Sequence, residues 1–247
     1  MIKKICRILI VVFFIISAQS SAKEIWIITS LDWPPFSGKE LPGGGVGITV
    51  LRRALNAEGI ELEVKFLPWS RAIVTAGDPT YLGVFPSWHE EVRAGFSKSI
   101  VIFSSPVGFV EPRDKPLAWK KLTDLKGKLI GVVQDYGNTV EFNSLVKNKM
   151  IRTEIVQNDL DNIRKVALKR IDGAFIDLSN LDYLLKNDGK KFASKVQANS
   201  KVIKNKDLVL AINNKFANKN VDLILKKGMA KINTARIIQD YNTKYLK

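Results

Sequence analysis

Two strand-ending stretches decide the fold: residues 83–93, GVFPSWHEEVR, and residues 171–177, IDGAFID. Each contains a short apolar run that gives way to polar residues, as a strand does where it leaves a sheet. The first stretch ends in the cation Arg93, and the second ends in the anion Asp177. If the two strands belong to different α/β units that face one cleft, Arg93 can hold a carboxylate while Asp177 holds an ammonium. The two stretches therefore predict a clamp for an amino-acid-like solute.

The chain around the first stretch predicts one α/β unit. Alternating or continuous apolar runs indicate strands, and apolar residues at helical spacing indicate helices between them. A β-α-β-α-β order predicts a mostly parallel sheet flanked by helices. The predicted strands cover residues 24–30, 62–67 and 81–85, and the predicted helices cover residues 46–57 and 69–75.

The same order repeats after a stretch rich in Pro and Lys at residues 111–119. A last strand at residues 208–212 and two amphipathic helices at 218–231 and 234–245 are left over. The repeated strands are predicted at residues 129–133, 153–156 and 173–176, and the helices at 139–147, 160–168 and 180–185.

The leftover elements predict a chain that leaves its first domain and later returns to it. Two crossing strands, near residues 107–110 and 202–208, would then form a hinge. We predict a discontinuous domain 1, residues 23–109 plus 205–247, and a domain 2, residues 110–204, with a ligand cleft between them.

Residues 1–22 predict a cleaved export signal and hence a periplasmic protein. Lys3, Lys4 and Arg7 precede an apolar run that ends at Ala18, and small residues follow it before Lys23. The run is too short to span a bilayer, so we expect no stable membrane insertion after cleavage. A retained membrane anchor is the alternative.

Cysteine and histidine usage limits the chemistry. Cys6 is the only cysteine and lies in the predicted signal, while His89 is the only histidine. Disulfides, cysteine nucleophiles and thiolate metal sites are therefore excluded from the exported chain, and a zinc or Ser-His-Asp site is disfavoured. We predict no catalytic residue, no metal and no cofactor.

The formal net charge is +15, and most of it comes from dispersed lysines. Many of them are interleaved with Asn, Asp and Gly, which is typical of a solvated face rather than a nucleic-acid-binding stripe. We expect a monomer with no nucleic-acid partner. The interleaved lysines are Lys186, Lys190, Lys191, Lys195, Lys201, Lys204 and Lys206.

Several motifs occur in an order and spacing that are together more specific than any one of them. The carriers are residues 32–36 (DWPPF), the helix entry at 44–51, residues 83–93 followed by Phe96-Ser97, residues 125–132 (LKGKLIGV) and residues 172–177. On these motifs the chain resembles the periplasmic solute-binding proteins of polar amino-acid ABC transporters, family 3 of the extracellular solute-binding proteins. The resemblance covers nearly all of residues 23–247. It implies the type II periplasmic-binding-protein fold, capture of a small polar solute, and delivery to a membrane permease.

The resemblance also implies site residues in the first domain. An aromatic residue after the first strand covers the ligand, and Trp33 or Phe36, next to Asp32, has that place here. Trp33 packing on its own Pro-Pro turn is the alternative. Further candidates lie in residues 68–72 and 83–93: they are Trp69 and Arg71, of which Trp69 has helix packing as its alternative, together with Ser87 and Trp88.

The proposed clamp itself departs from the family in one place. Arg93 corresponds to the carboxylate-binding arginine, but the preceding run is one residue longer and has Glu90 where the family usually has threonine. A surface ion pair is the alternative role for Arg93. Asp177 corresponds to the ammonium-binding acid, and a helix N-cap is its alternative role. Tyr136 and Asn138 lie in a loop that opens a helix, whose free N–H groups suit a carboxylate.

Two other function classes stay open at this point. The same fold carries exported dehydratases of prephenate-like acids, for which Glu90 or Glu91 would be the acid. A ligand-sensing module for a separate receptor is the third class.

Overall fold

The structure, a computed structural model, describes residues 23–246. The predicted export signal, with Cys6, lies outside these residues. The first half of the chain forms the predicted β-α-β-α-β order, and β1 pairs in parallel with both β2 and β3. Its elements are β1 (Glu24–Ser30), α1 (Val46–Asn56), β2 (Ile60–Phe66), α2 (Trp69–Ala76) and β3 (Gly83–Trp88).

Two strands follow before the second half begins: β4 (Phe96–Lys98) and the long β5 (Phe103–Pro112). The second half repeats the order of the first, and β6 pairs in parallel with both β7 and β8. Its elements are β6 (Leu129–Val133), α3 (Val140–Lys147), β7 (Arg152–Val156), α4 (Asp159–Ala167), β8 (Gly173–Asp177) and α5 (Leu178–Lys186).

The chain then returns to the first half. The short β9 (Val196–Ala198) pairs with β5, and the long β10 (Lys204–Asn213) pairs with β3, β4 and β5. Helices α6 (Val221–Ala230) and α7 (Thr234–Tyr245) pack on α1. Every element predicted from the sequence is present, with its ends within a few residues.

Strands β5 and β10 connect the two halves. Residues 103–107 of β5 pair antiparallel with β10, and residues 107–110 pair antiparallel with β8. The resulting strand order is β2-β1-β3-β10-β5-β8-β6-β7. Both predicted crossing segments therefore fall where one half passes to the other. The exact division into domains at residues 109/110 and 204/205 stays a prediction.

Each half has its own apolar core, and a third cluster joins them. The first core includes Trp26, Ile28 and Leu55, and the second includes Ile163 and Ile176. The third cluster runs from residues of β3 and of the loop after β1 to residues of α3 and β8. The two halves are thus in contact across the cleft between them, and this contact positions the candidate site.

Candidate functional site

A small cavity lies between the two halves, at the carboxyl ends of parallel strands, where α/β folds collect ligands. Its volume in this arrangement of the lobes is about 20 Å³, far below the range of roughly 300–1,000 Å³ of most ligand pockets. The first half contributes most of its wall, and the loop after β6 contributes Tyr136. The lining residues are Leu31, Trp33, Trp69, Pro86, Trp88, Glu91, Tyr136 and Leu208.

Four aromatic side chains, Trp33, Trp69, Trp88 and Tyr136, form what we call the aromatic cluster. The ring centroids of Trp33 and Trp88 are 5.7 Å apart, and Tyr136 lies 5.9 Å from Trp88 and 6.2 Å from Trp69. All three pairs are edge-to-face, a favoured arrangement of aromatic quadrupoles. The cluster encloses the cavity with rings from both halves.

The loop after β1 holds Trp33 in place. The backbone N–H of Trp33 donates to the Ser37 carbonyl at 2.8 Å, and the exposed Asp32 accepts from the Lys39 N–H at 2.7 Å. Phe36 lies behind Trp33, with ring centroids 4.8 Å apart. Trp33 is therefore the aromatic residue that faces the cavity, while Asp32 and Phe36 support the loop.

The Arg93 side chain contacts Asp135 and does not line the cavity. Its Nη2 donates to Asp135 Oδ1 at 2.9 Å, and the two side chains are 48% and 31% exposed. Ser70 Oγ donates to Asp135 Oδ2 at 2.5 Å, and Trp69 Nε1 donates to the Asp135 carbonyl at 3.0 Å. Ser70 and then Arg93 lower the pKa of Asp135. These three bonds, the Asp135 contacts, all cross the cleft. The alternative of an ion pair for Arg93 is thus confirmed, and a role in ligand binding stays a prediction.

Glu91 also forms a hydrogen bond across the cleft. Its Oε1 accepts from the Gly137 N–H, and its Oε2 accepts from the Trp88 N–H at 3.1 Å. Burial raises the pKa of the Glu91 carboxyl to about 7, although these two bonds and the charge of Lys206 pull it down. Glu91 is the charged side chain that lines the cavity.

Lys206 corrects one prediction from the sequence. The lysine face predicted to be solvated included it, yet its side chain is 0% exposed. Its Nζ donates to the Gly137 carbonyl, lies 3.7 Å from Glu90 Oε2 and lies 3.9 Å from the centre of the Trp88 ring. Burial lowers the pKa of Lys206, opposed by the charges of Glu91 and Glu90. Its position on β10, which crosses between the halves, explains why it is buried.

Asp177 begins helix α5 as an N-cap, which confirms the alternative role given to it. Its Oδ1 accepts from the Ser179 and Asn180 N–H groups, each at 2.9 Å. Within residues 23–246 its buried Oδ2 has no hydrogen-bonding partner, although nearby Ser105 lowers the pKa of the carboxyl. Burial is the larger effect and raises that pKa to about 6. Binding of an ammonium by Asp177 stays a prediction.

Asp159 is a buried carboxyl that the sequence did not point out. It is 5% exposed, and burial together with the charge of Asp177 raises its pKa to about 7. The Trp33 indole lowers the pKa of Asp159 without completing a well-aligned hydrogen bond. Burial raises the pKa of the Tyr136 phenol, and Asp159, Glu91 and Asp177 raise it further. The second half thus places two buried carboxyls with raised pKa values, Asp159 and Asp177, near the aromatic cluster.

The remaining predicted site residues lie at the margins. Arg71 is exposed on α2, and Ser87 is buried in β3 opposite Val209. Asn138 is half-buried beside Thr139, which caps α3. None of these three lines the cavity.

Residues 23–246 contain no group of three or more His, Cys, Asp or Glu side chains arranged to hold a metal ion. In the same residues, no helix has the length and apolar character needed to cross a membrane.

Solved structures share this architecture at low sequence identity. The GluR0 ligand-binding core from Nostoc punctiforme, in complex with L-glutamate, is 18% identical, with a TM-score of 0.70 over 89% of this chain and 98% of that one. An ancestral arginine-binding protein is 17% identical, with a TM-score of 0.70 over 90% and 98% of the two chains. AbpA from Streptococcus pneumoniae, an amino acid ABC transporter substrate-binding protein bound to L-arginine, is 13% identical, with a TM-score of 0.67 over 89% and 94%.

The class is therefore that of two-lobed α/β proteins with the type II periplasmic-binding-protein fold, as the sequence predicted. The chain belongs to the NMT1/THI5-like family, whose model matches residues 100–230, more than half of the chain. The resemblance to family 3 is confirmed as a divergent likeness, since the matching model is that of a related binding-protein family. No curated protein sequence matches the chain.

Asp159→Asn should make stability less dependent on pH. The folded-state pKa of Asp159, about 7, lies above its ordinary value of 3.8, so ionisation of this carboxyl destabilises the folded protein. This destabilisation is absent below about pH 4 and fully present above about pH 7. The free energy of unfolding of the variant should exceed that of the wild type by about 1–3 kcal/mol at pH 8 and should be nearly equal to it at pH 4. Urea denaturation at the two pH values measures this.

The control is Asp182→Asn, which removes a carboxylate that is 65% exposed. It should change stability little at either pH. A gain for Asp159→Asn that is the same at pH 4 and pH 8 would contradict the role of ionisation.

Proposed function

We propose that the protein captures a small polar solute, amino-acid-like in size and chemistry, between its two lobes in the periplasm and delivers it to an ABC transporter permease. The observation that supports this most is the cavity walled by aromatic rings from both lobes. A solute there contacts both lobes, so binding favours the arrangement in which they touch. We propose the lobes to be residues 23–109 plus 205–247 and residues 110–204.

Polar bonds across the cleft give the closed arrangement its specificity. Besides the Asp135 contacts, Glu91 accepts from the Gly137 N–H, Lys206 donates to the Gly137 carbonyl, and Asn180 Nδ2 donates to the Pro34 carbonyl. Each bond needs the two lobes at one particular distance and angle. Hinge bending at β5 and β10 would break all of them together.

The proposal treats the protein as a binding protein rather than an enzyme. The three named structural neighbours are ligand-binding proteins, and all three were solved with glutamate or arginine bound. One observation favours the exported-dehydratase class as the second candidate: Glu91 lines the cavity and has a pKa raised to about 7, which suits a general acid. The two candidates differ in whether the bound compound is changed.

A thermal-shift screen tests the proposal directly. Residues 23–247 are purified and screened against amino acids, amines, small peptides, dicarboxylates and prephenate. A true solute should raise the melting temperature, change tryptophan fluorescence and reduce the radius of gyration in X-ray scattering, because the lobes approach.

NMR of each hit after overnight incubation separates the two candidates. The solute-capture proposal expects every hit to be recovered unchanged. Conversion that disappears in Glu91→Gln would replace it with the enzymatic candidate. Binding with an unaltered scattering profile would argue against capture by closure.

A double-mutant cycle decides what Arg93 does. If it acts through Asp135, Arg93→Ala should weaken binding of a hit by no more than about 1 kcal/mol, as for an exposed ion pair, and should cost nothing further in a protein that already carries Asp135→Ala. If it binds a ligand carboxylate, Arg93→Ala alone should cost roughly 2–5 kcal/mol. Isothermal titration measures both, with the distant pair Lys186 and Asp182 as a matched control.

A further inference from the structure

The cavity has a chemical character more specific than that of a general polar solute. Three indoles and one phenol surround it, and the charged side chain in its wall is the carboxyl of Glu91. Aromatic ring faces carry negative electrostatic potential and attract organic cations. Neither Arg nor Lys is among its lining residues, because Arg93 contacts Asp135 and Lys206 contacts Glu90 and Gly137.

An ammonium group of the protein itself already uses one of these rings. Lys206 Nζ lies 3.9 Å from the Trp88 ring centre, while its side chain is fully buried. A buried lysine loses the hydration of its ammonium group, so it needs other favourable contacts, and here the ring face of Trp88 supplies one of them. One ring of the aromatic cluster, that of Trp88, therefore already lies against a cation.

The hydrogen-bonding capacity of the cavity narrows the kind of cation. A primary ammonium has three N–H donors to satisfy. Both oxygens of Glu91 already accept bonds, from the Gly137 and Trp88 N–H groups. Among residues 23–246, the buried indole N–H of Trp88 has no partner, and that of Trp33 has only a poorly aligned interaction with Asp159. Both N–H groups need an acceptor rather than another donor. A methylated ammonium has no such donors to satisfy, and an oxygen elsewhere in the ligand suits the indoles.

On this basis we propose that the cavity, once hinge bending widens it, binds a small quaternary ammonium compound that carries an oxygen acceptor, with its cation against the aromatic cluster and Glu91. The inference rests on the proposed function and names the chemical class of its solute. Asp159 and Asp177 add negative charge from the second lobe. The site is therefore distinct from the predicted clamp of Arg93 and Asp177, which would have held an ordinary amino acid.

Three probes that share a hydroxyethyl group test the proposal by isothermal titration at pH 7.5. Choline has the quaternary cation and an oxygen, 3,3-dimethyl-1-butanol has the same shape without charge, and ethanolamine has a primary ammonium. Choline should bind at least about tenfold more tightly than either of the others. Equal binding of the neutral or the primary compound, or no binding of choline, would overturn the proposal.

Two variants locate the cation. Glu91→Gln, which keeps an acceptor for Gly137, should weaken choline at least about tenfold and leave the neutral probe unaffected. Trp33→Leu should weaken choline similarly, whereas Trp119→Leu, outside the cavity, should not. Circular dichroism checks folding, and Trp33→Phe, which keeps a ring face, should recover part of the affinity. Full choline affinity in both Glu91→Gln and Trp33→Leu would overturn the proposal.

The same measurements distinguish a failure of the quaternary ammonium assignment from a failure of the solute-capture function. If another solute from the thermal-shift screen closes the lobes while choline does not bind, only the quaternary ammonium assignment is overturned. If no solute closes the lobes, the solute-capture function is contradicted as well.

Discussion

The packing of Tyr136 between Trp69 and Trp88 is the contact on which the closed cleft depends. Tyr136 belongs to the loop after β6, and the two indoles belong to α2 and the end of β3. The polar bonds at Asp135 and Gly137 flank it on the same short loop. One loop of the second lobe therefore makes most of the contacts that bring the lobes together, and any solute in the cavity touches that loop.

Four ionisable side chains are buried around the cleft, and their burial destabilises this arrangement unless partners compensate. Removing Lys206 and three carboxyls from water is unfavourable by several kcal/mol per ion unless partners compensate. Lys206 is compensated by Glu90, the Gly137 carbonyl and the Trp88 ring, while Asp177 Oδ2 has no hydrogen-bonding partner. The carboxyls keep raised pKa values as a result. Groups left in this condition are typical of binding sites, where a ligand completes the compensation.

Most of the fold could be predicted from the sequence because the signals for helices and strands are local. Apolar spacing and strand-ending residues predicted all the helices and the longer strands of both halves, but not the short β4 and β9. The candidate residues Trp33, Trp69, Trp88 and Tyr136 line the cavity. The features that the sequence did not predict depend on long-range contacts. Lys206 stands among other lysines in the sequence and is buried only because β10 lies in mid-sheet. The Arg93–Asp135 pair spans 42 positions, and Asp159 acquires its raised pKa only beside Asp177.

The central claim is that the Asp135 contacts and the aromatic cluster hold the lobes together, and a distance across the cleft tests it most directly. Residues 23–247 contain no cysteine, so a single pair can be introduced at Val74 on α2 and Val140 on α3, which are 76% and 78% exposed. Spin labels there report the separation by pulsed electron resonance. The account predicts that a bound solute gives one short, narrow distance and that Asp135→Ala shifts the population to longer distances. A distribution unchanged by either would contradict it.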